Sequence, residues 1–122
     1  MTESTRQHHS INYIELPLED VEATKAFYGK AFGWTFHDYG PDYQSFSGAA
    51  VDGGFNRQAT ASAPSCGVLV VLYSNNLEAT LNAVRNADAQ ILKEPYSFPG
   101  GRRFHFIDPN GSEIAVWTDV GP

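Results

Sequence analysis

The strongest constraint on this chain is that it repeats itself. Asp20-Val-Glu-Ala-Thr-Lys-Ala recurs as Asn76-Leu-Glu-Ala-Thr-Leu-Asn, 56 positions later. In both copies a residue that favours helix N-caps, Asp20 or Asn76, stands just before the Glu-Ala-Thr, and a strand-like apolar segment comes before that. Self-similarity at such a period signals two copies of one supersecondary unit, packed so that neighbouring copies bury a shared apolar surface.

Each copy reads as strand, helix and three strands. In the first, Ile14, Leu16 and Leu18 alternate with Tyr13, Glu15 and Pro17, which predicts a two-faced strand over 11–18. Asp20 caps a helix over Val21–Phe32, with Glu22 beside the positive helix end, and Gly33 stops it. Trp34–Phe36, Tyr43–Phe46 and Ala49–Asn56 read as short strands divided by Gly, Pro and Asp turns. In the second copy Val68–Tyr73 is a strand, and Asn76 caps a helix carrying Leu77, Leu81 and Val84 on one face. Gln90–Lys93 reads as a short strand and residues 94–101 as a loop. Arg103–Ile107, a tight Asp108-Pro-Asn-Gly turn and a closing strand over Glu113–Thr118 complete it. The expected organisation is therefore a tail over 1–10, a first βαβββ module over 11–56, a linker over 57–66 and a second module over 67–119.

Composition narrows the partners. Hydrophobic residues make up 42%, enough for a core, and the apolar run Val68–Tyr73 is far too short to span a bilayer. The net charge is −6, from 14 acidic against 8 basic residues, and Arg102-Arg103 is too small a basic cluster to neutralise a phosphate backbone. Neither a nucleic acid nor a membrane is expected as a partner. A polar N-terminus without a signal-like stretch, and a single cysteine, Cys66, which is read as an inert thiol, point to the cytoplasm. His8 and His9 are read as solvated rather than as a metal-binding fragment.

Two long segments carry a resemblance. Ile14-Glu-Leu-Pro-Leu-Glu-Asp-Val-Glu-Ala-Thr-Lys-Ala-Phe-Tyr, followed by Phe32-Gly-Trp, resembles the first module of vicinal-oxygen-chelate proteins, the glyoxalase, bleomycin-resistance and extradiol dioxygenase type. Phe106-Ile-Asp-Pro-Asn-Gly-Ser-Glu-Ile-Ala-Val-Trp resembles the end of their second module. The resemblance implies an α+β fold in which two βαβββ modules form a cupped, partly closed eight-stranded mixed sheet with helices outside. It also implies a small organic ligand in the cup, and a homodimer whose modules pair within or between chains.

Enzymes of that family hold a divalent metal with His, Gln or Glu from four strands. The first position, seven residues before the capping Asp20, is Tyr13, and its counterpart before Asn76 is Leu69. The position after the isoleucine of the closing strand is Ala115, and the remaining one falls near Phe55 or Asn56. No metal ligand and no cofactor is therefore assigned.

Alternation predicts what lines the cup instead. Tyr13, Glu15, Leu69, Val71, Tyr73, Arg103, His105, Glu113, Ala115 and Trp117 face inward when their neighbours pack under the helices. Glu15 and His105 are the candidate catalytic pair, with the carboxylate orienting the imidazole; the alternatives are a structural couple or, with Glu113, a displaced metal site. Arg103 either clamps an anionic group of the ligand or pairs with Glu15 or Glu113. Tyr13, Tyr73 and Trp117 are candidates for stacking, and Pro99-Gly100-Gly101 for a lip or a turn. The leading functional expectation is metal-independent binding of a small molecule. The alternatives are a lyase-, isomerase- or dioxygenase-like enzyme, and a structural or regulatory module with a filled cup.

Overall fold

The computed structural model describes residues 6, 8, 9, 11–59 and 68–121. The readings of 1–10 as a tail, of 57–66 as a linker and of Cys66 as an inert thiol lie wholly or partly outside them. The first module comprises β1 (Tyr13–Pro17), α1 (Val21–Phe32), β2 (Thr35–Asp38), β3 (Tyr43–Ser47) and β4 (Asp52–Asn56). The second comprises β5 (Val70–Tyr73), α2 (Leu77–Asn86), β6 (Gln90–Phe98), β7 (Gly101–Ile107) and β8 (Glu113–Thr118).

Both modules form the same mixed sheet. The strand orders are β1-β4-β3-β2 and β5-β8-β7-β6, with β1 parallel to β4, β5 parallel to β8 and the remaining pairs antiparallel. The helices lie against each other outside the strands. The eight strands make a partly closed cup from two four-stranded sheets, with no hydrogen-bonded strand pair joining one sheet to the other among the described residues.

The repeat works through its caps. The Asp20 carboxylate accepts from the Ala23 N–H at 3.0 Å, and the Asn76 side-chain oxygen accepts from the Ala79 N–H at 3.1 Å. Each bond satisfies one of the donors that a helix start leaves open, worth about 1 kcal/mol. Gly33 closes α1 in the left-handed region at φ 73, where only glycine is free of strain.

One apolar core serves both modules. On α1, Tyr28 stacks on Trp34 at 4.7 Å, and Trp34 stacks on Phe46 of β3 at the same spacing. Phe27 crosses to the other module and packs 5.5 Å from Phe106 on β7. Leu77, Leu81 and Val84 of α2 join the same cluster, so neither half keeps a separate interior.

A buried polar junction accompanies that crossing. The turn between β7 and β8 reaches back to the start of α1. The Asn110 side-chain oxygen accepts from Glu19 N–H at 2.6 Å, Asp20 N–H at 3.4 Å and the Thr24 hydroxyl at 3.1 Å. Asp108 accepts from the backbone of Asn110 and Ser112, each at 2.9 Å, and from the Tyr28 hydroxyl at 2.8 Å. Burial outweighs these bonds and pushes the Asp108 carboxyl above its usual range. The Tyr28 phenol is raised by burial and then by that carboxylate.

Several expected boundaries move, among them Trp34–Phe36 to Thr35–Asp38, Val68–Tyr73 to Val70–Tyr73 and Arg103–Ile107 to Gly101–Ile107. The strand expected over 11–18 is ordered as β1 over Tyr13–Pro17. The last strand of the first module starts at Asp52 rather than Ala49, because Ala50 at φ 70 turns the chain there. The short strand with a following loop is instead a nine-residue strand, Gln90–Phe98. Its outer half pairs Tyr96 with Arg103, Ser97 with Arg102 and Phe98 with Gly101, and register shifts between Ile91 and Tyr96 bracket Pro95. A proline is tolerated there because β6 is an edge strand. Pro99-Gly100 is the hairpin turn of this pair, and a side chain on Gly101 would meet the Thr118 carbonyl at 2.0 Å.

The raised Asp108 carboxyl has a definite sign in the stability of the fold. Its folded-state value lies above the unfolded one, so its contribution is complete below the ordinary carboxylate range and is lost as pH rises through the raised value. Asp108→Asn keeps an acceptor for the turn and removes the titration. Urea denaturation should show the variant gaining relative to wild type between acid and neutral pH; a pH-independent difference contradicts this account.

Candidate functional site

Strand alternation divides each sheet into a face under the helices and a concave face. Ile14, Leu16, Val70, Leu72, Phe104, Phe106, Ile114 and Val116 belong to the core or pack against it. Their neighbours Tyr13, Glu15, Val71, Tyr73, Arg103, His105, Glu113, Ala115 and Trp117 therefore take the other side, with Leu69 just before β5. Tyr13, Glu15, Val71 and Tyr73 are exposed, Leu69, Arg103 and Trp117 half-buried, and His105, Glu113 and Ala115 buried.

The first sheet carries phenols around an open depression of about 600 Å³, lined by Tyr13, Tyr39, Tyr43, Ser45, Ser47 and Asp52 among others. Tyr13 and Tyr43 share a hydrogen bond between their hydroxyls. Their approach depends on Gly54, where a side chain would lie 2.2 Å from the Tyr43 oxygen. Desolvation first, and then the contacts with Tyr13 and Glu15, push the Tyr43 phenol well above its usual value. Glu15 accepts from the Asn56 amide at 3.3 Å.

The second sheet carries a buried relay. His105 Nδ1 lies 2.6 Å from Glu113 Oε2, and the two side chains are 3% and 4% exposed. His105 Nε2 lies 2.9 Å from the Tyr96 hydroxyl, which accepts from Arg103 Nε–H at 2.5 Å. An arginine only donates, so with a neutral imidazole the phenol proton points to Nε2 and the Nδ1 proton to Glu113. Arg103 lies 5.6 Å from the ring centres of both Tyr96 and Phe98. Trp117 sits beside Tyr73 at 5.3 Å and Phe98 at 6.4 Å.

This arrangement corrects the expected pairing. Glu15 hydrogen-bonds to Asn56, whereas the carboxylate that orients His105 is Glu113. The strand register explains why: His105 pairs with Ala115 across β7 and β8, which sets Glu113 diagonally beside it on the same face. Arg103 donates to Tyr96 rather than to Glu15 or Glu113. Glu15, His105 and Glu113 do not form a metal-holding group, and no cluster of three His, Cys, Asp or Glu does so among the described residues. Tyr96 joins the site from a segment whose Pro and Gly residues predict a loop but which pairs as the outer half of β6. The alternation of Tyr96 with Phe98 was the available signal.

Register also relocates the fourth family metal position. Glu15 pairs with Gly54 across β1 and β4 as Val71 pairs with Ala115 across β5 and β8, so Gly54, not Phe55 or Asn56, is the counterpart of Ala115. Phe55 is fully buried in the core.

Two βαβββ modules forming an open cup, with a polar and aromatic concave face, define a glyoxalase-like protein. Residues 10–116 match the Glyoxalase/Bleomycin resistance protein/Dioxygenase superfamily, and the chain belongs to it. It is similar to a glyoxalase-related enzyme from Fulvimarina pelagi, with a TM-score of 0.75 and 20% identity over 90% of this chain and 88% of that one. A glyoxalase/bleomycin resistance protein/dioxygenase family enzyme from Burkholderia phytofirmans PsJN aligns with a TM-score of 0.74 and 18% identity, over 90% and 98% of the two chains. Lactoylglutathione lyase from Agrobacterium tumefaciens aligns with a TM-score of 0.70 and 16% identity, over 93% and 96%. At these identities the likeness is one of fold. No curated protein matches the chain. Among the described residues no helix is long and apolar enough to cross a membrane.

The adjacent glycines of β4 make a discriminating pair. A side chain on Gly53 would meet the Ile14 carbonyl at 2.2 Å and the buried Phe46 ring at 2.4 Å, whereas one on Gly54 meets the end of the Tyr43 side chain. Gly53→Ala should cost about 3 kcal/mol or more through overpacking and a disturbed ladder, and Gly54→Ala about 1 kcal/mol or less. Chemical denaturation checks the order, and equal losses contradict it.

Proposed function

We propose that this chain binds a small organic molecule on its concave face, without a metal at the positions where the family holds one. The observation that carries the reading is the donor set at those positions: Tyr13, Gly54, Leu69 and Ala115. Leucine, alanine and glycine side chains have no donor atom, and the Tyr13 phenol is engaged with Tyr43. Zn²⁺ and its neighbours take imidazole nitrogen and carboxylate oxygen at such sites, so the residues present do not fit the metal. What occupies the face is aromatic surface with a few hydroxyls and carboxylates, around a depression of about 600 Å³. Small-molecule sites have that size and character, which supports an open cup over a filled one.

The first test is the metal content of the purified, untagged chain, followed by calorimetric addition of Ni²⁺, Zn²⁺ and Mn²⁺ and a thermal-shift screen of small organic ligands. No stoichiometric metal, with stabilisation by flat organic compounds, is the expected outcome. Tight, stoichiometric metal would overturn the reading.

A second reading is favoured by one observation, the buried His105–Glu113 pair ending on Tyr96. A carboxylate that holds an imidazole, which in turn accepts a phenol proton, is an arrangement for general acid–base chemistry of the lyase or isomerase kind. Lactoylglutathione lyase activity in the structural relative from Agrobacterium tumefaciens is consistent with that class. With a substrate from the screen, Glu113→Gln and Tyr96→Phe should each lower kcat by roughly 10² or more. Unchanged turnover in both sinks the enzyme reading and leaves the binding one.

A further inference from the structure

The concave face of the second sheet carries a cation, Arg103, that makes no ion pair among the described residues. Arg103 spends its Nε–H on the Tyr96 hydroxyl, and its guanidinium packs against the Tyr96 and Phe98 rings. Its two terminal nitrogens make no hydrogen bond or ion pair with any described residue. Glu113, on the same face, is engaged with His105, and Asp119, beyond the end of β8, with Tyr73. In a chain of net charge −6 a half-buried arginine normally finds an acid, and among the described residues Arg103 does not.

The same contacts fix its orientation. A hydrogen bond at Nε and two flanking rings hold the plane of the fork, so little side-chain freedom remains to be lost when an anion arrives. Two parallel N–H groups match the two oxygens of a carboxylate. Strand pairing puts Trp117 directly opposite Arg103, with the Tyr73 ring edge-on to the indole at 69° and Phe98 on its other flank, which makes an aromatic wall beside the fork. The acidic chain disfavours a dianion.

We propose that Arg103 anchors a carboxylate subsite and that the ligand is a flat organic acid, its carboxylate on the two terminal nitrogens of Arg103 and its body against Trp117 and Tyr73. The subsite rests on the reading that the concave face binds a small molecule, and it specifies the ligand's chemical class.

The test uses benzoate and its uncharged isostere benzamide on the full chain, followed by saturation-transfer NMR and by the indole N–H of Trp117 in ¹⁵N-labelled protein. Benzoate should bind and shift the Trp117 signal, and benzamide should bind roughly tenfold or more weakly, as expected when a charged hydrogen-bonded pair is lost. Arg103→Gln should bring benzoate down to the benzamide level and leave benzamide unchanged. Arg103→Lys, which keeps the charge and loses the fork, should fall between, and it serves as the second variant if the glutamine protein is unstable. Equal binding of the two probes, or benzoate binding indifferent to Arg103→Gln, overturns the carboxylate subsite and leaves the face a binding surface. Displacement of benzoate by inorganic phosphate at lower concentration overturns the carboxylate assignment. Silence of both probes overturns the subsite, and silence of the thermal-shift screen as well overturns the binding reading beneath it.

Discussion

The structure depends on one buried junction, the turn that joins β7 to β8 and docks on the start of α1. Asn110 gathers three donors from the first module, and Asp108 accepts the Tyr28 hydroxyl while pinning its own turn through two backbone bonds. Polar groups taken out of water cost several kcal/mol unless they are matched, and the side-chain oxygens of Asn110 and Asp108 find their donors at this contact. The adjoining Phe27–Phe106 contact closes the apolar side of the same crossing. With both in place, the orientation of one sheet to the other follows, and so does the cup.

A common backbone then frames two unlike faces. The registers make Tyr43 and Arg103 counterparts, likewise Ser45 and His105, Asp52 and Glu113, and Gly54 and Ala115. In the first sheet, short side chains and a glycine leave an open depression under paired phenols. In the second, the equivalent places hold an imidazole and a carboxylate that satisfy each other under Tyr96. The first half offers room, and the second offers charge and proton-carrying groups. Function in such a cup comes from side chains placed on the frame, which is why superfamily membership does not specify the reaction.

Much of the frame was legible beforehand because it is local chemistry. Asp20 and Asn76 act as caps through bonds to residues three positions on, and the alternation around Leu16, Phe104 and Ile114 separates core from cup at a period of two. The reading failed where pairing overrides local preference. Pro95 and the Pro99-Gly100 turn favour a loop locally, yet an edge strand with register shifts absorbs the proline and carries Tyr96 into the site. The pairing of Glu15 with His105 failed for a related reason: alternation tells which face a residue takes, but not which of two carboxylates lies beside it.

By itself the sequence determined the two βαβββ units, the helix starts and ends, the division of each strand into inner and outer faces, and the absence of donor side chains at Leu69 and Ala115. These follow from residue type and short-range spacing, which the chain carries in one dimension. Only the tertiary structure decided that Glu113 holds His105, that Tyr96 links it to Arg103, and that Gly54 rather than Phe55 matches Ala115. Those contacts depend on strand register and on the packing of one module against the other, and both are set by long-range pairing that no local pattern encodes.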